Sequence, residues 1–168
     1  ALKVCLNLAH KAKWVVRVPD LPGYDEDNSR VRWLTSDERA ALLAAVPTHW
    51  ANMVRIALAT GLRQANVLDM RWPWVDMERR TLSIPGQCFK NGSPFCIPLD
   101  DEAMAVLGEQ QGVHPTHVFA YQGKPITQLN HDTWRAALEE AGIEDFRWHD
   151  LRHTWATDTA RREIGRAH

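Results

Sequence analysis

Helix start and stop signals punctuate this chain, and they leave room for only a small sheet. Thr35 and Glu38 form a T-x-x-E capping box ahead of a helix over residues 33–47, with Ala41, Leu42, Ala45 and Val46 inward and Pro47 as its stop. A second helix runs from Thr48 to Thr60, turns Trp50, Met53, Ile56, Ala57 and Leu58 inward, and ends at Gly61. A short helix follows over residues 62–70. Asp100 caps a helix over 101–110 with Ala103, Met104, Val106 and Leu107 inward, and a helix over 126–141 stops at Gly142. Between them Thr81 to Ile84 and Phe95 to Leu99 read as strands around an Asn91-Gly92 turn, and VFAY (118–121) is a third strand candidate. The expected fold class is mainly α with a small three-stranded antiparallel β-sheet.

With 168 residues, 45% hydrophobic and 24% charged, the chain is long enough for one domain with its own core, or for one domain plus part of another. No apolar run reaches membrane-spanning length, and the first residues lack a signal-peptide pattern, so no membrane partner is expected. Cys5, Cys88 and Cys96 lack CxxC spacing and fit a reducing, cytoplasmic setting better than a disulfide framework. Residues 1–18 carry a helical stripe of Leu2, Leu6, Leu8, Ala9 and Ala12, and residues 19–32, with Pro19, Pro22, Gly23 and an acidic run, are a linker by composition. The net charge of −1 requires any nucleic-acid site to be a local basic patch, because phosphate neutralisation supplies much of the affinity for duplexes.

Four residues stand out chemically. His149 and Arg152 lie three apart in FRWHDLRHTWAT (146–157), at what reads as a helix start, so both side chains are aimed at one point near free backbone N–H groups; that suits a phosphate. Arg63 stands in the first turn of a short helix, against the dipole preference; it is either functional or a surface arginine paired with Asp69 or Glu38. Lys90 sits on the hairpin tip, as a mobile cation or simply a solvated loop lysine. HDLRH (149–153) has two histidines at i and i+4, but Arg152 between them would repel a metal and no Glu follows the first, so no metal is expected. A Ser-His-Asp triad lacks its nucleophile elbow, and there is no glycine-rich phosphate loop. Tyr121 is expected to pack on its strand with its hydroxyl on a partner.

ATGLRQANVLDMRW (59–72), FKNG (89–92) and HDLRHTWAT (149–157), in this order and spacing, resemble the three motif regions of the tyrosine recombinase family, of the phage-integrase type. The resemblance covers roughly residues 33–160. It implies that residues 1–18 are the last helix of a core-binding domain, 19–32 a linker, and 33–168 a catalytic domain incomplete at its C-terminus. It also implies that Arg63 and Arg152 clamp the scissile phosphate, that Lys90 protonates the leaving 5′-oxygen and that His149 is the general acid/base. His153 follows the motif too, but one turn along the helix it is expected to be structural, packing or bonding a neighbouring backbone group. Arg63, Lys90 and Arg152 would be the DNA contacts. The implied reaction is site-specific recombination through a 3′-phosphotyrosyl link, with double-stranded DNA and a homotetramer on DNA as partners and no cofactor. The family's nucleophilic tyrosine lies downstream of the HxxR motif, whereas the tyrosines here are Tyr24 and Tyr121, both upstream. The expectation is a fragment truncated before its nucleophile and inactive as it stands. Apolar periodicity fades after Ala160, and the natural chain is expected to continue differently from about there. Two other readings remain: a non-catalytic DNA-binding remnant of an integrase, and a helical interaction domain with no nucleic-acid role, in which Arg63, Lys90, His149 and Arg152 would not converge.

Overall fold

The computed structural model describes residues 2–18, 32–88 and 92–166. The chain divides into two compact units, residues 1–30 and 31–168. In the first, helix α1 (Leu2–Lys11) gives way to a turn in which Lys13 adopts a positive φ and the His10 ring contacts the Val15 carbonyl at 3.1 Å.

The second unit is built around a helix that is apolar on most of its surface. Helix α2 (Ser36–Ala45) begins at the predicted box: Thr35 Oγ1 accepts from the Glu38 N–H, and the Glu38 carboxylate accepts from the Thr35 N–H. Helix α3 (Thr48–Thr60) buries Trp50, Met53, Val54, Ile56, Ala57, Leu58 and Thr60. A helix with buried residues on so many sides must be central. It packs against α2, against α5 (Asp101–Gln110) and against α7 (Asp150–Arg166), while α6 (His131–Glu140) packs on α2. The short α4 (Gln64–Leu68) follows α3 directly. Thr154, fully buried on α7, donates to the Asp150 carbonyl at 2.9 Å and accepts from the Leu34 N–H at 3.0 Å, which ties the lead-in to α2 onto α7. Each bond answers a polar group that burial would otherwise leave unpaired.

The fold class is as expected, mostly helical with a three-stranded antiparallel sheet, but the strands are assigned differently. The sheet runs β1 (Val75–Asp76), β2 (Thr81–Ile84), β3 (Phe95–Pro98), with Leu82 opposite both Val75 and Ile97. Residues 118–121 contribute only β4 (Ala120–Tyr121), which pairs with β5 (Lys124–Pro125) in a separate hairpin. A two-residue strand carries no alternation to read, so β1 was invisible in the sequence. Tyr121 is half exposed and stacks on His49, with ring centroids 4.0 Å apart, in place of the packed strand position expected for it. The helix expected over 126–141 begins only at His131, because the Asn130 side chain accepts from the Asp132 and Thr133 N–H groups and caps it there. At the other end α7 continues to Arg166, past the point where apolar periodicity fades, with residues 160–164 exposed. No helix among the described residues is long and apolar enough to cross a membrane.

The α2 box carries a pH dependence. The Arg32 guanidinium first, and the Thr35 backbone N–H second, lower the Glu38 carboxyl from its ordinary 4.5 to about 2. A folded-state value below the unfolded one adds stability that is complete above pH 4.5 and is lost as pH falls towards 2. Both side chains are 27% exposed, so screening holds the effect to about 1 kcal/mol. Urea titrations of the protein and of Glu38→Gln should differ by that amount at neutral pH and converge near pH 2; a constant gap would refute the linkage.

Candidate active site

Helix α3 ends with Gly61 in the left-handed region, φ +64°, its N–H donating to the Ala57 carbonyl at 2.9 Å. A side chain at this position would not fit: an added Cβ would lie 2.3 Å from Cε3 of Trp155, so the α7 indole sits directly on the glycine. The backbone then runs extended through buried Leu62 to Arg63, φ −68° and ψ 151°. Arg63 is therefore the residue that caps α4 and not, as expected, one within its first turn. Its side chain is exposed and has no hydrogen bond or ion pair among the described residues. The two acids considered as partners are engaged elsewhere, Asp69 by Arg71 at 2.8 Å and Glu38 by Arg32.

Arg152 reaches the same turn from the opposite side of the sequence. Its Nη1 donates to the Gly61 carbonyl at 2.5 Å, two residues before Arg63. One guanidinium is thus fixed to the backbone that presents the other. The fork of Arg152 has five donors and this contact uses one of them, so the head group can still serve an anion. Half-burial of Arg152 narrows its rotamers before any ligand arrives.

His149 immediately precedes α7 and is exposed. The His153 ring packs edge-on against it, centroids 5.3 Å apart and planes at 81°. The free amides expected at this helix start are already used: the Asp150, Leu151 and Arg152 N–H groups donate to the Arg147, Trp148 and His149 carbonyls at 2.9, 3.1 and 3.1 Å, and the Arg147 N–H donates to the Asp150 carboxylate at 2.7 Å. Anion binding here rests on side chains. Among the described residues no three His, Cys, Asp or Glu side chains converge as metal ligands.

Lys90 lies outside the described residues, so its distance from the other three is not part of the geometry. The paired stems of its hairpin, β2 and β3, are described from Ile84 opposite Phe95 downwards.

The electrostatic pattern completes the site. Arg32, Arg39, Arg55, Arg71, Arg80 and Arg135 each contact a carboxylate; Arg79 and Arg162 lie 3.8 and 4.0 Å from one, and Arg161 covers the Trp33 ring. Of the arginines between residues 32 and 164, that leaves Arg63, Arg147 and Arg152 with neither an acid nor an aromatic ring as partner among the described residues. Arg152 is bonded to the turn that presents Arg63, and Arg147 shares a cavity rim with His149 and with Gln64, the residue after Arg63. Sequence reasoning missed Arg147, the Gly61 carbonyl and Trp155. Arg147 could have been noticed as a basic residue two before His149; the Gly61 contacts join residues about ninety apart in sequence and have no local signal.

The phage integrase family model matches residues 32–167. The integrase of Salmonella phage P22 is 35% identical over 170 residues, covering 93% of this chain and 44% of that protein. The shufflon-specific DNA recombinase of Escherichia coli is 32% identical over 98 residues, 58% of this chain and 24% of that protein. Among solved structures, the Tn1549 transposon integrase in complex with circular intermediate DNA superposes with a TM-score of 0.70 at 17% identity, over 96% of this chain and 64% of that one. A lambda integrase dimer bound to a COC′ core site gives 0.64 at 18% identity, over 93% and 62%. The chain spans less than half the length of the curated relatives it matches.

Proposed function

The chain belongs to the phage integrase family, and from that premise we propose that it is the catalytic part of a site-specific tyrosine recombinase that cuts and rejoins double-stranded DNA. The observation that carries the reading is the Arg152–Gly61 contact, which sets one guanidinium on the turn that presents Arg63 while His149 opens the same helix as Arg152. Arg63 and Arg152 would hold the non-bridging oxygens of the scissile phosphate, where planar, forked donors fit better than an ammonium. Charge grows on those oxygens in the pentacoordinate transition state, so donors already in place lower its energy more than that of the ground state. His149 would move the proton of the attacking hydroxyl, and Lys90 would protonate the departing 5′-oxygen. Bond energy is conserved in such an exchange, and neither ATP nor a metal enters the scheme.

No tyrosine follows Arg152 in these residues. In this proposal the nucleophile comes from outside them, the working assembly is a homotetramer on DNA, and the site of action is the cytoplasm. The family resemblance further suggests that residues 1–18 close a core-binding domain, with 19–32 as the linker to the catalytic domain.

The test is a chimaera in which residues 1–160 are followed by the corresponding C-terminal segment of the P22 integrase. Incubated with a nicked attachment-site duplex, it should form a protein–DNA adduct that survives detergent. An adduct that forms as readily after His149→Ala and Arg152→Ala would sink the assignment.

A further inference from the structure

The third unpaired arginine is not explained by the site as described. Arg147 is exposed, and its backbone is held where its N–H donates to the Asp150 carboxylate at 2.7 Å. It lies on the rim of a cavity of about 370 Å³, together with Gln64, Asn130, His131 and His149. Gln64 directly follows Arg63, His131 opens α6, and His149 precedes α7, so the starts of three helices meet at this rim. The cavity wall is apolar, formed by Leu129, Phe146, Trp134 and Trp148. The Nε1 atoms of both tryptophans are buried and have no acceptor among the described residues, so the rings turn carbon and not N–H to the cavity. The nearby Asp132 does not neutralise this rim, because Arg135 holds it at 3.0 Å.

We infer that Arg147, His131 and Gln64 form a second phosphodiester subsite, which takes the backbone of the same DNA strand next to the phosphate clamped by Arg63 and Arg152. The inference rests on the reading under Proposed function. Arg147 contributes a charge-assisted contact, and Gln64 a neutral one. The apolar wall suits the deoxyribose between the two phosphates, a group that offers carbon on one face and oxygen on the other.

The probe is a random-sequence duplex of about 30 base pairs, titrated with the chain at several salt concentrations. Each phosphate neutralised contributes about 0.9 to the slope of log affinity against log salt. Arg147→Ala should lower that slope by about one and weaken binding about five- to tenfold at ~0.1 M salt, by the typical phosphate contribution. Gln64→Ala should weaken binding with the slope unchanged. Arg80→Ala removes an exposed arginine that is paired with Asp101 and should change neither quantity. If Arg147→Ala matches the unaltered chain, or Arg80→Ala loses as much as Arg147→Ala, the subsite is overturned. Arg63→Ala separates the two failures. If it weakens binding while Arg147→Ala does not, only the subsite falls; if neither has an effect, the recombinase reading falls with it. Circular dichroism melts of each variant exclude loss of fold as the cause.

Discussion

Gly61→Ala is expected to destabilise the second unit by about 2–5 kcal/mol, from the sum of two independent costs. The first is conformational: an alanine at φ +64° pays about 1–2 kcal/mol for the left-handed region. The second is steric: its Cβ would meet three ring atoms of Trp155 at 2.3 to 2.9 Å, and an indole seated on a helix cannot yield as a flexible side chain would, which adds about 1–3 kcal/mol. Gly123→Ala separates the two, since that glycine also has a positive φ of +75° but nothing within 4 Å of an added Cβ. It should lose only the conformational part. Urea midpoints with unchanged slopes would report both values. The double variant Gly61→Ala with Trp155→Ala should be less destabilised than the sum of the two single changes, because the removed ring is what the new methyl strikes. Equal losses for Gly61→Ala and Gly123→Ala would show that the Trp155 contact is not as close as described.

Arg63→Ala and Arg152→Ala, placed in the adduct-forming chimaera, are each expected to slow adduct formation by about 100- to 1,000-fold, the usual consequence of removing one donor to a developing oxyanion. Their effects on stability should differ. Arg63 has no partner among the described residues, so its removal should leave the urea midpoint unchanged. Arg152 donates to the Gly61 carbonyl, and its loss should cost about 1.5–3 kcal/mol, the range for a hydrogen bond from a charged group. Arg152→Lys should restore little of the rate, because an ammonium cannot satisfy the Gly61 carbonyl and present a planar fork to a phosphate at once. Single-turnover assays beside denaturant titrations of the same preparations give both quantities. A wild-type rate for Arg63→Ala would remove it from the reaction.

The parts of this fold that were legible in the sequence are those whose causes are local. The capping box at Thr35 and Glu38, the left-handed stop at Gly61 and the Asp100 cap each act within one helical turn, and each stands where its residues predict. The start of α6 was misplaced because Leu129 continues the apolar pattern backwards while Asn130 ends it with a side-chain cap. The third strand was missed because pairing, not composition, makes Val75–Asp76 a strand. At the site, the motifs singled out Arg63 and Arg152 one at a time. That a glycine carbonyl joins them depends on how α7 packs on α3, a contact between distant segments that no local pattern encodes.

The pairing of arginines with acids across the rest of the surface has a consequence for kinetics. A protein whose cations were spread evenly would meet a polyanion in any orientation and then have to reorient. Here many guanidinium groups are offset at short range by neighbouring carboxylates, so their fields cancel within a few ångströms, while Arg63 and Arg147 are exposed with no acid among the described residues. A polyanion would be drawn to that side first, and added salt would slow its arrival as well as weaken the complex.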